Sequence, residues 1–204
     1  MAAPRAPGAV RERILAAAVA LFAEQGFDGT SVQQVVDRAQ VTKGALYHYF
    51  DSKDDLLYEI YHGLLQIQLT GLDDILSRGL ARPDAVRAII AHLIETTAAR
   101  APETAVFTRE MHRLTPARRK AMRADRRRYH ETFRALIADG QAAGDFAATA
   151  SAETVTLMVF GMINQLPTWY RPTGPKTATQ LADEVTTFVL AALRPGNQAV
   201  NPRA

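Results

Sequence analysis

The sequence predicts an all-α protein in which a small N-terminal helical module precedes a larger helical bundle. Apolar residues recur every three or four positions through most of the chain, which is the spacing of one helix face. With 204 residues the chain can form one large domain, or a small module joined to a larger body of about nine helices in all. Residues that interrupt regular structure cluster at few places: Gly26, Gly29, Pro83, Pro102, Pro116, 140–144, 167–175 and Pro195 onward.

Composition excludes several classes of protein. Hydrophobic residues make up 48% and charged residues 22%, which is the balance of a folded chain rather than a disordered one. Cysteine is absent, which excludes disulfides and thiolate metal sites and favours a reducing, cytoplasmic location. Residues 1–10 lack the apolar core of a signal peptide, and no uncharged apolar run is long enough to span a membrane, so we expect no membrane association.

No pattern of catalytic residues stands out. Neither a Ser/His/Asp nor a Cys/His arrangement is present, so an all-helical enzyme is the weakest hypothesis. No pair of histidines has the spacing of a helical metal site, and we expect neither a metal nor a cofactor. The histidines are His48, His62, His92, His112 and His130.

The first two helices are predicted from their apolar faces and their ends. A helix over residues 10–25 ends at Gly26, which can adopt the left-handed conformation of a helix cap. Thr30 and Gln33 have the spacing of a capping box and predict a short second helix that continues to Ala39. The apolar face of the first helix consists of Ile14, Ala18, Leu21 and Phe22.

The following helices are predicted from cap residues and first-turn prolines. Thr42 is placed to cap a third short helix that reaches about Phe50, and Ser52 with Asp55 opens a long fourth helix. Pro83 and Pro102 have the character of first-turn residues of two more. The remaining predictions are a helix from Thr115–Pro116 to Ala143 with Gly144 as its cap, one from Ser151 towards Leu166, and one from Thr177 to Leu193.

Residues 31–50 fit a helix-turn-helix, in which the second of two short helices approaches the major groove of DNA. Small and polar residues at the start of that helix permit close approach to phosphates and base edges. Backbone N–H groups at the start of the preceding helix suit a phosphate. The candidate DNA contacts are Thr30, Ser31, Thr42, Lys43, Gly44, Ala45, Tyr47, His48 and Lys53.

An ordinary helical hairpin with an aromatic packing cluster is the alternative interpretation of residues 31–50. The charge balance does not favour DNA, because residues 1–56 contain six lysines and arginines against seven aspartates and glutamates. The residues alone therefore leave both interpretations open.

A family resemblance separates the two interpretations. The segments Ile14–Ala18, Leu21-Phe22, Gly26-Phe27, Gly29–Val32, Ala39, Val41–Phe50, Ser52-Lys53 and Leu56-Leu57 resemble the signature of the TetR (tetracycline-repressor) family in order and spacing. His48 and Tyr49 stand in the reverse of the order commoner in that family. The resemblance implies a homodimer that binds a palindromic double-stranded DNA operator and is released when a small molecule enters the C-terminal domain. The implied boundaries are a DNA-binding domain at 1–53 with a disordered N-terminal arm, a ligand-binding and dimerisation domain at 54–195, and a disordered tail at 196–204.

The positive charge of the chain is concentrated in the C-terminal part. Nine lysines and arginines lie between Arg113 and Arg134 against two acidic residues, and we expect most of them to face solvent. Arg126 is expected on the apolar side of its helix, in a stripe with Met122, Tyr129, Phe133 and Leu136. A guanidinium there needs an anionic partner, either an internal carboxylate or a ligand. The candidate ligand contacts are Thr108, Met111, His112, Arg126, Tyr129, Phe133, Asn164 and Trp169.

The C-terminal half also resembles the regulatory domains of TetR-family repressors of fatty-acid and steroid catabolism. The matching segments are Arg126-x-x-Tyr129, Phe133-Arg134, Gly140, Gly144-x-Phe146 and residues 164–172. This resemblance implies a small hydrophobic effector, an acyl-coenzyme A thioester, and dimerisation through the last two helices, where Gly161 and Met162 suit close helix contact. Pro167 departs from the pattern and is expected to end or kink the helix after Leu166.

Two other interpretations concern the ligand and the mode of DNA binding. A multidrug- or antibiotic-responsive repressor of an efflux gene would have an acidic or aromatic pocket, whereas the stretch around Arg126 is basic. A non-specific architectural DNA-binding protein would give no sharp footprint on a palindrome.

Overall fold

A computed structural model describes residues 7–196, and within them the chain is helical throughout its regular structure, with no β-strand. This confirms the all-α prediction. The helices are α1 Pro7–Gln25, α2 Val32–Ala39, α3 Lys43–Tyr49, α4 Lys53–Ser77, α5 Arg82–Ala99, α6 Ala101–Glu110, α7 Pro116–Ala143, α8 Ala152–Asn164, α9 Leu166–Trp169 and α10 Ala178–Ala192, with a 3₁₀ turn at Met111–Arg113.

The chain divides into two compact units. The first consists of residues up to Leu65 together with Arg100–Met122, and the second of Gln66–Ala99 together with the chain from Arg123 onward. Helices α4 and α7 contribute residues to both. This grouping by contact does not decide the functional boundary expected at residue 53, which stays a prediction. The expected N-terminal arm and C-terminal tail fall largely on residues 1–6 and 197–204, which lie outside the described residues.

Each unit has its own apolar core. The core of the first unit is formed by side chains of α1 to α4 and α6. Its fully buried side chains include Ile14, Phe22, Val35, Leu46, Leu56 and Val106. In the second, α5 packs along α10 and against α8 and α9. The buried residues of this core include Val86, Ile89, Ile90, Ile94, Phe133, Ile137 and Val159.

Helix ends follow the predicted caps at most positions. The hydroxyls of Thr42, Ser151 and Thr177 each accept the N–H three residues on, and the Ser52 hydroxyl accepts that of Asp55. Gly144 has a φ of +82°, as expected of a residue that ends α7.

The N-cap of α2 was predicted one residue too early. Ser31, not Thr30, caps the helix, and its partner in the capping box is Gln34 rather than Gln33. Thr30 is buried instead, and its hydroxyl donates to the carbonyl of Gly26 at 2.8 Å.

Pro167 also differs from expectation. Helix α8 already ends at Asn164, and Pro167 lies in the first turn of α9 rather than terminating α8 after Leu166. The physical reason is that proline, which lacks an N–H, fits the first turn of a helix, where that N–H has no intrahelical acceptor.

Candidate functional site

Helix α3 is anchored on one side and exposed on the other. Leu46 and Phe50 are almost fully buried, so they fix the helix against the first unit. The Thr42 hydroxyl accepts the Ala45 N–H at 3.1 Å and holds the first turn. The residues of the opposite side are those predicted to contact DNA: Thr42, Lys43, Gly44, Tyr47 and His48 are exposed, and Ala45 is half-buried.

Two positions on this face are not explained by packing within the chain. A Cβ added at Gly44 would meet only the Thr42 hydroxyl oxygen, at 3.8 Å, so the interior does not require a glycine there. Tyr47 leaves 52% of its surface in solvent, although aromatic side chains are usually buried. A small residue beside an exposed aromatic one is typical of a surface that admits another molecule closely.

The turn between α2 and α3 is held from α1. The Arg13 guanidinium donates to the carbonyl of Gln40 at 2.8 Å and also to that of Ala39, which are acceptors left over at the end of α2. Gln40 itself is left-handed, with φ +51°. Arg13 therefore fixes the angle at which α3 leaves α2.

An exposed ion pair joins α1 to α2. Both terminal nitrogens of Arg38 donate to the Glu24 carboxylate, at 2.6 and 2.8 Å. This hydrogen bonding holds the pKa of the Glu24 carboxyl below its usual value. The pair is solvated, so it contributes little to the free energy of unfolding.

The loop between α1 and α2, residues 26–31, is densely bonded. Gly26 has a φ of +79°, and a Cβ at Gly29 would come within 2.6 Å of the Gln25 carbonyl oxygen, so both positions require glycine. The Thr30 N–H donates to the Phe27 carbonyl at 3.2 Å and the Ser31 N–H to Gln34 Oε1 at 2.7 Å. These two N–H groups are therefore occupied within the protein, and DNA contact by Thr30 and Ser31 stays a prediction.

The open positions at this helix end lie one residue further on. Val32 and Gln33 occupy the first two positions of α2, where an N–H has no acceptor within the helix. The backbone N–H groups of Val32 and Gln33 are therefore the ones at this helix end that we expect to bind a phosphate.

Lys53, the first residue of α4, reaches the α1–α2 loop. Its Nζ lies 2.7 Å from the Phe27 carbonyl oxygen and 2.8 Å from that of Thr30. It also lies 4.2 Å from the centre of the Phe27 ring. The ammonium predicted to contact DNA thus has acceptors within the protein.

A second set of contacts reaches the same loop from α6 and the 3₁₀ turn. The buried carboxylate of Glu110 accepts the Phe27 N–H at 3.4 Å. Arg109 donates to the carbonyls of Phe22 and Ala23, at 2.6 and 3.2 Å, and Arg113 pairs with Asp28. Sequence reasoning missed this cluster, because no local pattern relates residues 22–28 to residues 109–113.

The predicted ligand contacts are distributed over both units. Thr108, Met111 and His112 belong to the first unit and are exposed, and the Thr108 hydroxyl donates to the Thr104 carbonyl at 3.0 Å. The remaining residues belong to the second unit, where Asn164 and Trp169 are exposed. A role in ligand binding stays a prediction for the five exposed residues, which are Thr108, Met111, His112, Asn164 and Trp169.

The expected burial of Arg126 is wrong, because its side chain is exposed. Three residues of the predicted stripe, Met122, Tyr129 and Phe133, are buried as expected, and the buried side continues to Ile137. Half-buried Asp125 takes the place predicted for Arg126 and accepts Gln66 Nε2 at 3.3 Å. Leu136, which closed the predicted stripe, is only half-buried.

Tyr129 and Phe133 are the two predicted ligand contacts that the structure buries together. Their rings pack against Phe160 of α8, with centroids 5.7 and 5.3 Å away. Tyr129 Oη is buried and has no hydrogen-bond partner among the described residues. Burial raises the pKa of the Tyr129 phenol well above its usual range, so the group is a neutral donor. Sequence reasoning did not identify Phe160.

Two family models match the chain. Residues 14–60 match the model described as bacterial regulatory proteins, tetR family, and residues 81–193 match that described as tetracyclin repressor-like, C-terminal domain. Together with the helix-turn-helix at α2 and α3, they define a bacterial DNA-binding transcriptional regulator. The chain belongs to the tetR family, which confirms the resemblance found in the sequence.

Named relatives agree with this assignment. The HTH-type transcriptional repressor KstR2 of Rhodococcus jostii (strain RHA1) is 27% identical over 184 residues, 90% of each chain. The structure of ketosteroid transcriptional regulator KstR2 of Mycobacterium tuberculosis, 23% identical, has a TM-score of 0.82 and covers 95% of this chain and 97% of that one. AibR in complex with isovaleryl coenzyme A and operator DNA, 22% identical, has a TM-score of 0.74 over 92% and 98% of the two chains. The two structures show the shared fold.

The names of the relatives and the helix compositions bear on two other hypotheses, an enzyme and a membrane protein. Both KstR2 proteins are named as transcriptional regulators rather than as enzymes, and the AibR structure contains operator DNA. Among residues 7–196, no helix combines the length and the apolar composition that crossing a membrane requires.

Proposed function

We propose that this chain is a repressor that binds a palindromic operator as a homodimer and dissociates from it when a small hydrophobic effector binds, with an acyl-CoA thioester as the leading candidate. The observation that carries the DNA-binding part is the exposed face of α3, where Lys43, Gly44 and Tyr47 project from a helix held by buried Leu46 and Phe50. We place the operator contacts on this face and at the start of α2.

The basis for a homodimer is an apolar surface on the last two long helices, α8 and α10. Leu157 and Met158 leave 57% and 63% of their surface in solvent, and Phe188 leaves 65%. A Cβ added at Gly161 would meet nothing within 4 Å, so packing among residues 7–196 does not require a glycine there. A second copy of this chain would cover these apolar side chains and could approach closely at Gly161.

The basis for an effector site in the second unit is the cluster of Tyr129, Phe133 and Phe160. An unpartnered hydroxyl among aromatic rings suits a mostly apolar ligand that carries one accepting oxygen, such as a thioester carbonyl. Exposed arginines of α7 in the same unit, among them Arg123 and Arg127, offer guanidinium groups to phosphates such as those of coenzyme A. The likeness to AibR, whose structure contains isovaleryl coenzyme A, supports the same ligand class.

The aromatic character of this cluster also favours a second candidate, a flat aromatic drug as effector and an efflux gene as target. The part of α7 that precedes Tyr129 is basic, with exposed Arg126, Arg127 and Arg128, whereas a cationic drug would need acidic side chains. We therefore place this candidate second. In either case we propose a cytoplasmic protein that requires no cofactor.

A thermal-shift panel tests the effector class. Isovaleryl-CoA and longer acyl-CoAs are compared with the matching free acids, coenzyme A alone and cationic dyes. We expect stabilisation by thioesters beyond that by coenzyme A or by the acids. Stabilisation by dyes alone would replace the thioester with the second candidate. The stabilising compound is then added to the protein on a duplex selected from random-sequence DNA, where dissociation is expected.

A further inference from the structure

The proposed DNA-reading helices depend on the α1–α2 loop, because α2 begins where this loop ends. Lys53 contacts the loop at two positions, the carbonyl oxygens of Phe27 and Thr30. The ammonium group has three donors, so at most one remains for any other acceptor. The Phe27 ring lies over the nitrogen at 4.2 Å and covers a further part of it.

Of these two acceptors, the Thr30 carbonyl links Lys53 directly to the start of α2. It shares a rigid peptide plane with the Ser31 N–H, which points the opposite way and donates to Gln34 Oε1 at 2.7 Å. The Ser31 hydroxyl accepts the Gln34 N–H at 3.2 Å and caps α2. Lys53 therefore holds one side of the peptide group whose other side starts α2.

The Phe27 carbonyl accepts a second hydrogen bond, from the Thr30 N–H at 3.2 Å. The cation thus joins two carbonyls of the loop, those of Phe27 and Thr30, through one nitrogen. Without the cation, the Phe27 carbonyl would keep only the Thr30 N–H, and the Thr30 carbonyl would lose the donor on Lys53.

We propose that Lys53 is a positioning residue, which orients α2, and with it the proposed reading helix α3, through the carbonyls of Phe27 and Thr30 rather than by binding phosphate with its ammonium group. This proposal rests on the proposed function, since it assumes that α2 and α3 read DNA. Lys43 is the matched comparison: it is the first residue of α3 and its side chain is exposed. Lys43 is assigned the phosphate contact.

The experiment compares Lys53→Met, Lys53→Arg and Lys43→Met with the wild-type chain on a duplex that the wild-type protein selects from random-sequence DNA. Affinity is measured from 50 to 200 mM salt and expressed per active protein, and discrimination against an unrelated duplex is measured alongside. Each lost phosphate contact reduces the slope of log affinity against log salt by about 0.9, so a dimer that loses two changes its slope by about 1.8. We expect that change for Lys43→Met.

For Lys53→Met we expect affinity to fall about tenfold or more, with lost discrimination and a salt slope close to that of the wild type. Lys53→Arg should recover affinity only as far as it recovers slow amide exchange at residues 30–34, because a guanidinium can also donate to two carbonyls, as Arg13 and Arg109 do. Without DNA, amide exchange at residues 30–34 should accelerate in Lys53→Met and stay unchanged in Lys43→Met.

Three results would overturn the proposal. One is a slope change of about 1.8 in Lys53→Met with unchanged amide exchange, which would make Lys53 a phosphate contact. Another is full affinity in Lys53→Arg while amide exchange at residues 30–34 stays as fast as in Lys53→Met, which would show a charge contact that needs no positioning. The last is a loss of thermal stability alone, with affinity per folded molecule unchanged, which would limit Lys53 to a structural role. If the wild-type chain selects no duplex, the proposed function fails separately, and unchanged exchange at residues 30–34 would still overturn the positioning of α2.

Discussion

The backbone N–H of Phe27 donates to the side-chain carboxylate of Glu110 at 3.4 Å, across 83 positions of the chain. Glu110 is 6% exposed and also lies 3.3 Å from Arg109 Nε. Arg109 in turn donates to carbonyls in the last turn of α1. Helix α6 is therefore hydrogen-bonded to the end of α1 through Arg109 and to the following loop through Glu110. The loop that starts α2 is therefore bonded from α4 and from α6 within one compact unit.

Removal of the Glu110 carboxylate should destabilise the fold. In Glu110→Ala the Phe27 N–H loses its acceptor in a buried place, so we expect a loss of about 1–3 kcal/mol in the free energy of unfolding, measured with urea. Glu110→Gln retains an accepting oxygen and should lose less. Glu103→Ala is the control, since its ion pair with Arg100 is an exposed one between neighbouring turns. Equal losses in Glu103→Ala and Glu110→Ala would contradict the assignment.

Tyr47→Ala should separate DNA binding from stability. Because Tyr47 is 52% exposed, its truncation should change the free energy of unfolding by no more than about 0.5 kcal/mol. Operator affinity should fall about tenfold or more if the ring contacts DNA. The control, Leu80→Ala, removes an apolar side chain that is 40% exposed in the second unit. Unchanged operator affinity in Tyr47→Ala would remove α3 from the interface.

Tyr129→Phe should leave the ligand-free protein as stable as the wild type, or more stable by up to about 1 kcal/mol. The deleted hydroxyl is buried and has no partner in the part of the chain that the structure describes, so its removal ends an uncompensated desolvation. If an effector oxygen accepts from this hydroxyl, the stabilisation by isovaleryl-CoA should decrease in the variant. A variant that is markedly less stable without ligand would show that the hydroxyl has a structural partner.

The same residue predicts a pH dependence. Because burial raises the pKa of Tyr129 above its usual value of 10.0, the unfolded chain releases the phenolic proton at lower pH than the folded one. The contribution of Tyr129 to the free energy of unfolding is constant below pH 10. As the pH rises above 10, this free energy decreases by up to about 1.4 kcal/mol for each pH unit. We expect Tyr129→Phe to lose less stability than the wild type between pH 9 and 11 in urea titrations. Parallel curves for the two proteins would contradict the raised pKa.

Phe188→Glu should produce a monomer. The substitution replaces the exposed aromatic side chain of α10 by a carboxylate near Asp183 and Glu184, where a second copy packed on this helix would bring further negative charge. Sedimentation analysis should show the loss of the dimer, with helix content retained because the residue is 65% exposed. Leu80→Glu serves as the control and should remain dimeric. A dimeric Phe188→Glu would place the interface elsewhere.

Local patterns were sufficient where a helix end depends on residues three apart. The caps at Thr42, Ser52, Ser151 and Thr177 follow from side chains that bond within their own first turn. At α2 two overlapping patterns compete, Thr30 with Gln33 and Ser31 with Gln34. The structure selects the second, because the Thr30 hydroxyl bonds back to Gly26.

Residue periodicity was insufficient to orient a long helix. Over the 28 residues of α7, a shift by one position moves Asp125 inward and Arg126 outward, and both alternatives fit a spacing of three or four. Which edge packs is decided by neighbouring helices, here through Gln66 on α4 and Phe160 on α8.

The sequence by itself determined that the protein is all-α, where most helices begin and end, and that its N-terminal part belongs to the tetR family. These properties follow from short-range spacing, cap chemistry and a signature within one stretch of chain. Only the tertiary structure decided that Glu110 and Lys53 bind the N–H and the carbonyl of Phe27, that Arg126 is exposed and that the Tyr129 hydroxyl is buried with no partner among residues 7–196. The physical reason is that burial and hydrogen-bond partners depend on residues distant in the chain, and these are brought together by packing.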